Sequence, residues 1–144
     1  IVIEVPTTPA AIATTRVPVQ ETPTTIAYVK DAAWSEAPAR LFARMLSDTL
    51  TASANMVVLS PAQSFSDPSA TLSGELRSFG IDAATHEAVV IYDASLVRAG
   101  KTAVEKRRFE ARSPVAAIDA ASVGPALQTA ANQVAGDVAG WVGR

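Results

Sequence analysis

Apolar positions recur along this chain in two periods, and the changes between them divide it into elements. Ile1-Val2-Ile3-Glu4-Val5 is β-branched and stops at Pro6, which predicts a first strand; Pro6 to Ala13, rich in Thr, Pro and Ala, reads as a loop. Thr15 to Gln20 and Thr24 to Val29 both have strand composition, and Glu21-Thr22-Pro23 suits a turn, so a hairpin is preferred here over a flexible linker. Pro18 cannot donate to a ladder, so its strand must lie at an edge or carry a bulge there.

From Glu36 to Ala52 the period changes to that of a helix. Ser35 is the candidate N-cap, Glu36 and Pro38 fit the first turn, and Leu41, Met45 or Leu46, Thr49 and Leu50 recur on one side with Phe42 beside them. Arg40, Arg44, Ser47 and Asp48 take the other side, so this helix should pack one face on a sheet. Met56-Val57-Val58-Leu59 reads as a short buried strand ended by Pro61, followed by a polar loop over Gln63 to Ser69.

Three longer strands are then predicted. Ala70 to Ile81 alternates, with Leu72, Gly74 and Leu76 on one face and Thr71, Ser73, Glu75 and Arg77 on the other. Ala88 to Arg98 places Ala88, Val90, Tyr92, Ala94 and Leu96 on one face and Val89, Ile91, Asp93, Ser95 and Val97 on the other. That second face is half apolar, which implies that something covers part of it. A tight turn at Ala99-Gly100-Lys101 leads into Thr102 to Arg112. The last element is a long helix opened by Asp119 or Ser122, with a stripe of Val123, Leu127, Ala130 or Ala131, Val134, Val138, Trp141 and Val142. Its many small residues allow it to lie close to a sheet. The order β-ββ-α-β-βββ-α, with one-sided helices and short turns, predicts an α+β fold: a mixed, mainly antiparallel sheet with two helices packed on one face.

Composition narrows the function. A length of 144 residues points to one domain spanning the whole chain. A net charge of −2 argues against nucleic acid as a partner, because that binding needs a strong basic excess. There is no cysteine, hence no disulfide, thiolate metal ligand or Cys nucleophile. No run of about 18 apolar residues offers a membrane-spanning helix. The chain starts at Ile1 without Met and without a visible signal peptide, which we read as a start trimmed by processing or by design.

The catalytic inventory is thin. His86 is the one histidine, in a loop between Thr85 and Glu87; a Ser-His-Asp relay needs a His held by a buried acid, and a solvated turn residue is the simpler reading. Asp82, His86 and Glu87 are the densest cluster of metal-type ligands, with no partner set at metal-site spacing. No Gly-rich phosphate loop is present, so an ATPase, cofactor-binding or metal role is not expected of this chain. Lys106-Arg107-Arg108 has two readings: a charged edge strand guarded against edge-to-edge pairing, or a contact for anionic lipid headgroups or an acidic partner surface. With the half-apolar strand face, this makes Lys106, Arg107, Arg108, Val89, Ile91 and Val97 the candidate partner or lipid contacts. Tyr28 and Trp34 fill the gap between hairpin and first helix, or serve as a protein–protein anchor; the structural reading is preferred, and Trp141 is placed in the core.

Several landmarks fall in one order along the chain: Arg16-Val17, Ile26-Ala27-Tyr28, Trp34, the apolar helix from Leu41 to Leu50, Val57-Val58, the Leu72 to Phe79 run with Gly74-Glu75-Leu76 inside it, Arg108-Phe109, and a close at Trp141-Val142. In this the chain resembles the ABC-type transport auxiliary lipoprotein family, whose members accompany MCE-type lipid transport systems in the Gram-negative envelope. The resemblance implies a topology like the TolB amino-terminal domain. It also implies a non-enzymatic periplasmic role, an N-terminal lipid anchor to a membrane of the envelope (the outer membrane foremost), and partners in an MCE-domain protein and an ABC permease–ATPase complex. Lipid and a second copy of the chain are allowed as further partners. Against the docking role stand two other readings: a small module that carries lipid in a slot beneath the Ala/Gly-rich last helix, and a hydrolase resting on His86 alone.

Overall fold

The computed structural model describes residues 1–13, 16–22, 25–34, 36–53 and 70–143. The predicted Ser35 cap, the Met56–Leu59 strand and the Gln63–Ser69 loop lie outside them. In chain order come β1 (Val2–Ile3), a 3-10 turn (Ala10–Ile12), β2 (Arg16–Thr22), β3 (Thr25–Ala33), α1 (Pro38–Ser53), β4 (Ala70–Asp82), β5 (Glu87–Arg98), β6 (Glu105–Pro114) and α2 (Ala120–Val142). Over the described residues the fold is α+β, with a mixed open sheet of six strands and two helices.

The sheet runs β3-β2-β4-β5-β6, and β1 joins it on β4. β4 is the organising strand. One of its sides pairs antiparallel with β5 along its whole length. The other is shared end to end: β1 lies parallel at Thr71 and Leu72, Thr7 bridges to Glu75, and β2 lies parallel at Ile81 and Asp82. The Glu4 amide donates to the Leu72 carbonyl at 2.9 Å, and the Leu76 amide to the Thr7 carbonyl at 2.9 Å. β1 and β2 thus act as one strand interrupted by the 3-10 turn.

Pro18 meets the second of its two alternatives. β2 is an interior strand, and its register with β3 slips between Arg16 and Pro18. The ladder to β4 starts only at Val19, after the residue that lacks an N–H.

β4 departs from strict alternation. Leu76 faces Tyr92 but Ser78 faces Ile91, so Arg77 is an extra residue in a β-bulge. The bulge reverses the phase of the strand. Leu72 and Leu76 before it, and Phe79 and Ile81 after it, all reach the same buried side. On β5, Ala88, Val90, Tyr92, Ala94 and Leu96 are buried as predicted. β6 begins at Glu105 rather than Thr102: the Lys101 amide closes the turn on the Arg98 carbonyl at 3.1 Å, but residues 101–104 stay exposed and outside the ladder.

Both helices cover this one side. In α1 the fully buried seam is Phe42, Leu46 and Leu50, with Leu41, Met45 and Thr49 half-buried on its flank, so the apolar stripe is centred one position from where the periodicity placed it. Helix geometry explains the choice, since positions four apart stack on one face. Pro38 is the first helical residue, where a missing N–H goes unused. The Phe42 ring meets Tyr92 edge-on at 5.0 Å between centroids. α2 is capped by Asp119, whose carboxylate accepts from the Ser122 amide at 2.9 Å. Val123, Leu127, Ala130, Ala131, Val134, Ala135 and Val138 are buried beneath it, and half-buried Trp141 reaches the Phe109 ring at 5.5 Å.

Candidate functional site

With the helices on one side, the other side of β4, β5 and β6 faces outward. Cross-strand pairing fixes what it presents: Asp93 opposite Arg108, Ser95 opposite Lys106, Ile91 opposite Glu110, and Val89 opposite Arg112. Arg108 grips Asp93 through two hydrogen bonds, Nε at 2.6 Å and Nη2 at 2.9 Å. Arg77 stands 3.8 Å from the same carboxylate and 3.3 Å from Glu75. The Arg108 hydrogen bonds hold the Asp93 carboxyl below its ordinary range, against a smaller opposing effect of burial. Nearer the β4–β5 turn, Arg112 lies 2.9 Å from Glu110, 3.5 Å from Glu87 and 3.6 Å from Asp82. The outward face is therefore a lattice of matched charges at the register of the sheet, with apolar residues set into it.

Among the described residues, depressions lie at two places on it. A shallow one of about 540 Å³ is bordered by Gly74, Asp93, Ser95, Lys106 and Arg108. A groove of about 300 Å³ has Val89 and Ile91 on its floor, Pro9, Ile12 and Pro18 as a wall, and Arg77 and Arg112 at its rim. The N-terminal segment thus covers part of the half-apolar face, as its composition implied. Val89 is only 7% exposed, Ile91 is half-buried, and Val97, further along the strand, is 38% exposed. Of the three apolar candidates, Val97 and Ile91 are presented to the surface and Val89 is largely taken up by the protein.

The basic run is split by the strand. Lys106 and Arg108 point to the outward face; Arg107, opposite Ala94, is on the helix side, with its guanidinium 5.2 Å from the Phe109 ring. Arg108 is engaged by Asp93, whereas Lys106 and Arg107 have no ion-pair partner among the described residues. β6 is an edge strand, as the guarded-edge reading requires. The engagement of Asp93, Arg77 and Arg112 was missed in the sequence; charges alternating along three strands were visible, but not the register that pairs them.

Elsewhere, His86 sits exposed in the β4–β5 turn with φ of 52°, and its carbonyl accepts from the Val115 amide at 2.9 Å. It is a turn residue, with Asp82 bracing the same turn by accepting from the Ala84 amide at 3.0 Å. No group of three potential metal ligands comes together among the described residues. Trp34, half-buried at the end of β3, meets Phe79 edge-on at 5.4 Å, and the Arg16 guanidinium lies 4.3 Å over Tyr28. Both aromatics of the corner are engaged within the fold. The Tyr92 hydroxyl donates to the Ser73 carbonyl at 3.3 Å, and burial, with help from the Glu4 charge, pushes its pKa far up.

The fold is thus an α+β sheet roofed by helices on one side and, on the other, open and laced with paired charges. The chain belongs to the family of ABC-type transport auxiliary lipoprotein components, whose model matches residues 1–139. Among solved structures it is similar to protein XCC0632 from Xanthomonas campestris, assigned to the DUF330 family, at 21% identity and a TM-score of 0.86 over 98% of this chain and 81% of that one. It is also similar to an uncharacterized protein at 16% identity and a TM-score of 0.81, covering 97% of this chain and 89% of that one. At these identities the likeness is one of fold. No curated protein matches the chain. No helix among the described residues is long and apolar enough to cross a membrane.

Proposed function

We propose that this chain is a non-enzymatic, periplasmic, lipid-anchored component of an ABC/MCE-type lipid transport system, acting by binding partner subunits. The lipid precedes the domain on its N-terminal side and holds it to a membrane of the Gram-negative envelope, the outer membrane foremost. The partners are an MCE-domain protein and, through it, the ABC permease–ATPase complex; the ATP chemistry resides in that complex. The observation that carries the reading is the outward sheet face. Its Asp93, Arg77, Arg108 and Arg112 charges are paired within the sheet, which leaves half-buried Ile91 and exposed Val97 as apolar points set among groups already engaged. Ile91 and Arg108 on the outward face are the proposed partner contacts, with Val89 contributing only through the groove floor; Val97, Lys106 and Arg107 lie at the β5–β6 tip, and Arg107 is on the helix side.

The competing picture, a module that carries lipid itself, needs a slot between α2 and the sheet. Ala130, Ala131, Val134 and Ala135 are fully buried there, so small side chains bring the helix down and fill the place a ligand would take. Affinity purification from detergent-solubilised membranes is the test. Recovery of an MCE-domain protein with the chain is expected. Recovery of no transport subunit, together with lipid bound to the purified chain in native mass spectrometry, would reverse the assignment in favour of the carrier.

A further inference from the structure

We infer that the β5–β6 end of the sheet rests on the headgroups of an anionic phospholipid bilayer. Three observations converge on this end. The first is charge. From Asp93 to Phe109 the chain carries five cations and two acids, against a net charge of −2 overall. Arg108 is engaged by Asp93, and Arg98 by Glu105 at 2.8 Å. Lys101, Lys106 and Arg107 have no ion-pair partner among the described residues. Lys106 projects to the outward face and Arg107 to the helix side, with Lys101 in the turn between the strands. Cations splayed to both sides of one tip suit contact end-on with a surface, and suit a partner lying flat on either face much less.

The second is apolar exposure. Val97 and Val104, 38% and 50% exposed, flank the same turn, and residues 99–104 stay outside the ladder. A pair of small aliphatic side chains among unpaired cations is a composition that partitions to a headgroup boundary.

The third is direction. Val2, Thr71 and Val97 form one row across the sheet, so the start of β1 lies at this end. The Arg98 guanidinium donates to the Val142 carbonyl at 3.2 Å, which places the end of α2 here as well. The opposite end, the β4–β5 turn, carries Asp82, Glu87 and Glu110 around the single guanidinium of Arg112, beside exposed His86, so acid exceeds base there. The inference rests on the reading above that the lipid anchor precedes the domain, since an anchor on that side brings the β5–β6 tip toward the bilayer. The charge gradient along the sheet then turns the acidic end away from an anionic surface.

The test uses this 144-residue chain and vesicles of phosphatidylcholine with or without phosphatidylglycerol. Binding is expected only with the anionic lipid, and weaker as salt rises. Each Lys or Arg held at such a surface strengthens partitioning by about fivefold. The combined Lys101→Gln, Lys106→Gln and Arg107→Gln substitution should therefore weaken it on the order of a hundredfold, with an unchanged melting temperature. Because the chain has no cysteine, Val104→Cys and Thr85→Cys each accept one environment-sensitive fluorophore. On anionic vesicles the label at position 104 should shift to the blue and the label at 85 should not. Equal binding to both vesicle types, a triple variant that binds like the parent, or a shift at 85 and none at 104 would each overturn the inference. Partner recovery from membranes reads separately, so an intact pull-down with no vesicle binding removes this inference and leaves the docking role standing.

Discussion

Alanine in place of glycine should have opposite signs at two positions of this chain, and the structure gives the size of each. At Gly74 in β4, an added Cβ would stand 2.1 Å from the Asp93 backbone carbonyl oxygen and 3.1 Å from Cε1 of Tyr92. The ordinary carbon–oxygen approach in a sheet is about 3.3 Å, so the paired backbones must part by more than that side chain's neighbours can yield. The Tyr92 ring cannot give way easily, because it is fully buried under Phe42. Overpacking of this kind costs about 1–3 kcal/mol, offset by roughly 0.5 kcal/mol from the stiffer unfolded chain. Gly74→Ala should therefore lose about 2 kcal/mol, or about 7 °C in melting temperature for a domain of this length. At Gly136, on the exposed side of α2, nothing lies within 4 Å of the same added atom. There the helix propensity of alanine adds about 1 kcal/mol. Urea titration and calorimetry of the two variants beside the parent decide the matter. A Gly74→Ala protein that melts at or above the parent would refute the close approach of β4 and β5 at that row.

Other perturbations bear on separate parts of the fold. Phe42→Ala empties the fully buried seam between α1 and Tyr92 and should cost about 3–5 kcal/mol in denaturant unfolding; a loss under about 1 kcal/mol would mean that α1 is not seated there. Asp119→Ala removes the cap of α2 and should cost about 1 kcal/mol, which Asp119→Ser should largely restore. Asp93 has its folded pKa lowered, so its contribution is present above the ordinary carboxylate range and is lost as pH falls through the folded value. Asp93→Asn should thus destabilise modestly at neutral pH, flatten the decline on the acid side, and lose its effect in high salt; an identical acid limb in both proteins would show that the Arg108 pair is idle.

Much of the architecture was legible because the physics that forms it is local. The β5 alternation reads directly onto the buried side, and the hairpin of β2 and β3 and the Asp119 cap follow from turn and capping chemistry. What was not legible depends on contacts distant in sequence. The parallel docking of β1 and β2 along one side of β4 is set by which partners remain for that strand, and no single segment encodes it. The bulge at Arg77 left a trace: apolar residues pass from the even positions Leu72 and Leu76 to the odd positions Phe79 and Ile81, a change of phase that one inserted residue explains. The isolated glycines within β4 were likewise a sign of close approach, Gly74 against β5 and Gly80 against Pro18, whose carbonyl oxygen stands 2.6 Å from where a Cβ would be.

The candidate surface was half legible. Composition placed Lys106, Arg107 and Arg108 together and marked the second face of β5. Alternation then divides the three cations between two sides, and only the register reveals that Asp93 engages Arg108 while Lys106 and Arg107 have no ion-pair partner among the described residues. The covering of Val89 by Pro9, Ile12 and Pro18 is a tertiary event, and nothing near Val89 in the sequence announces it.

Docking through the outward sheet face can be read by site-specific photo-crosslinking in living cells. With a photoreactive residue at Ile91 on the outward sheet face, and at Gln128 on the exposed side of α2 for comparison, an adduct with an MCE-domain subunit is expected from position 91 and none from 128. An adduct formed from 128 with position 91 silent would place the interface on the helices and contradict docking through the sheet face.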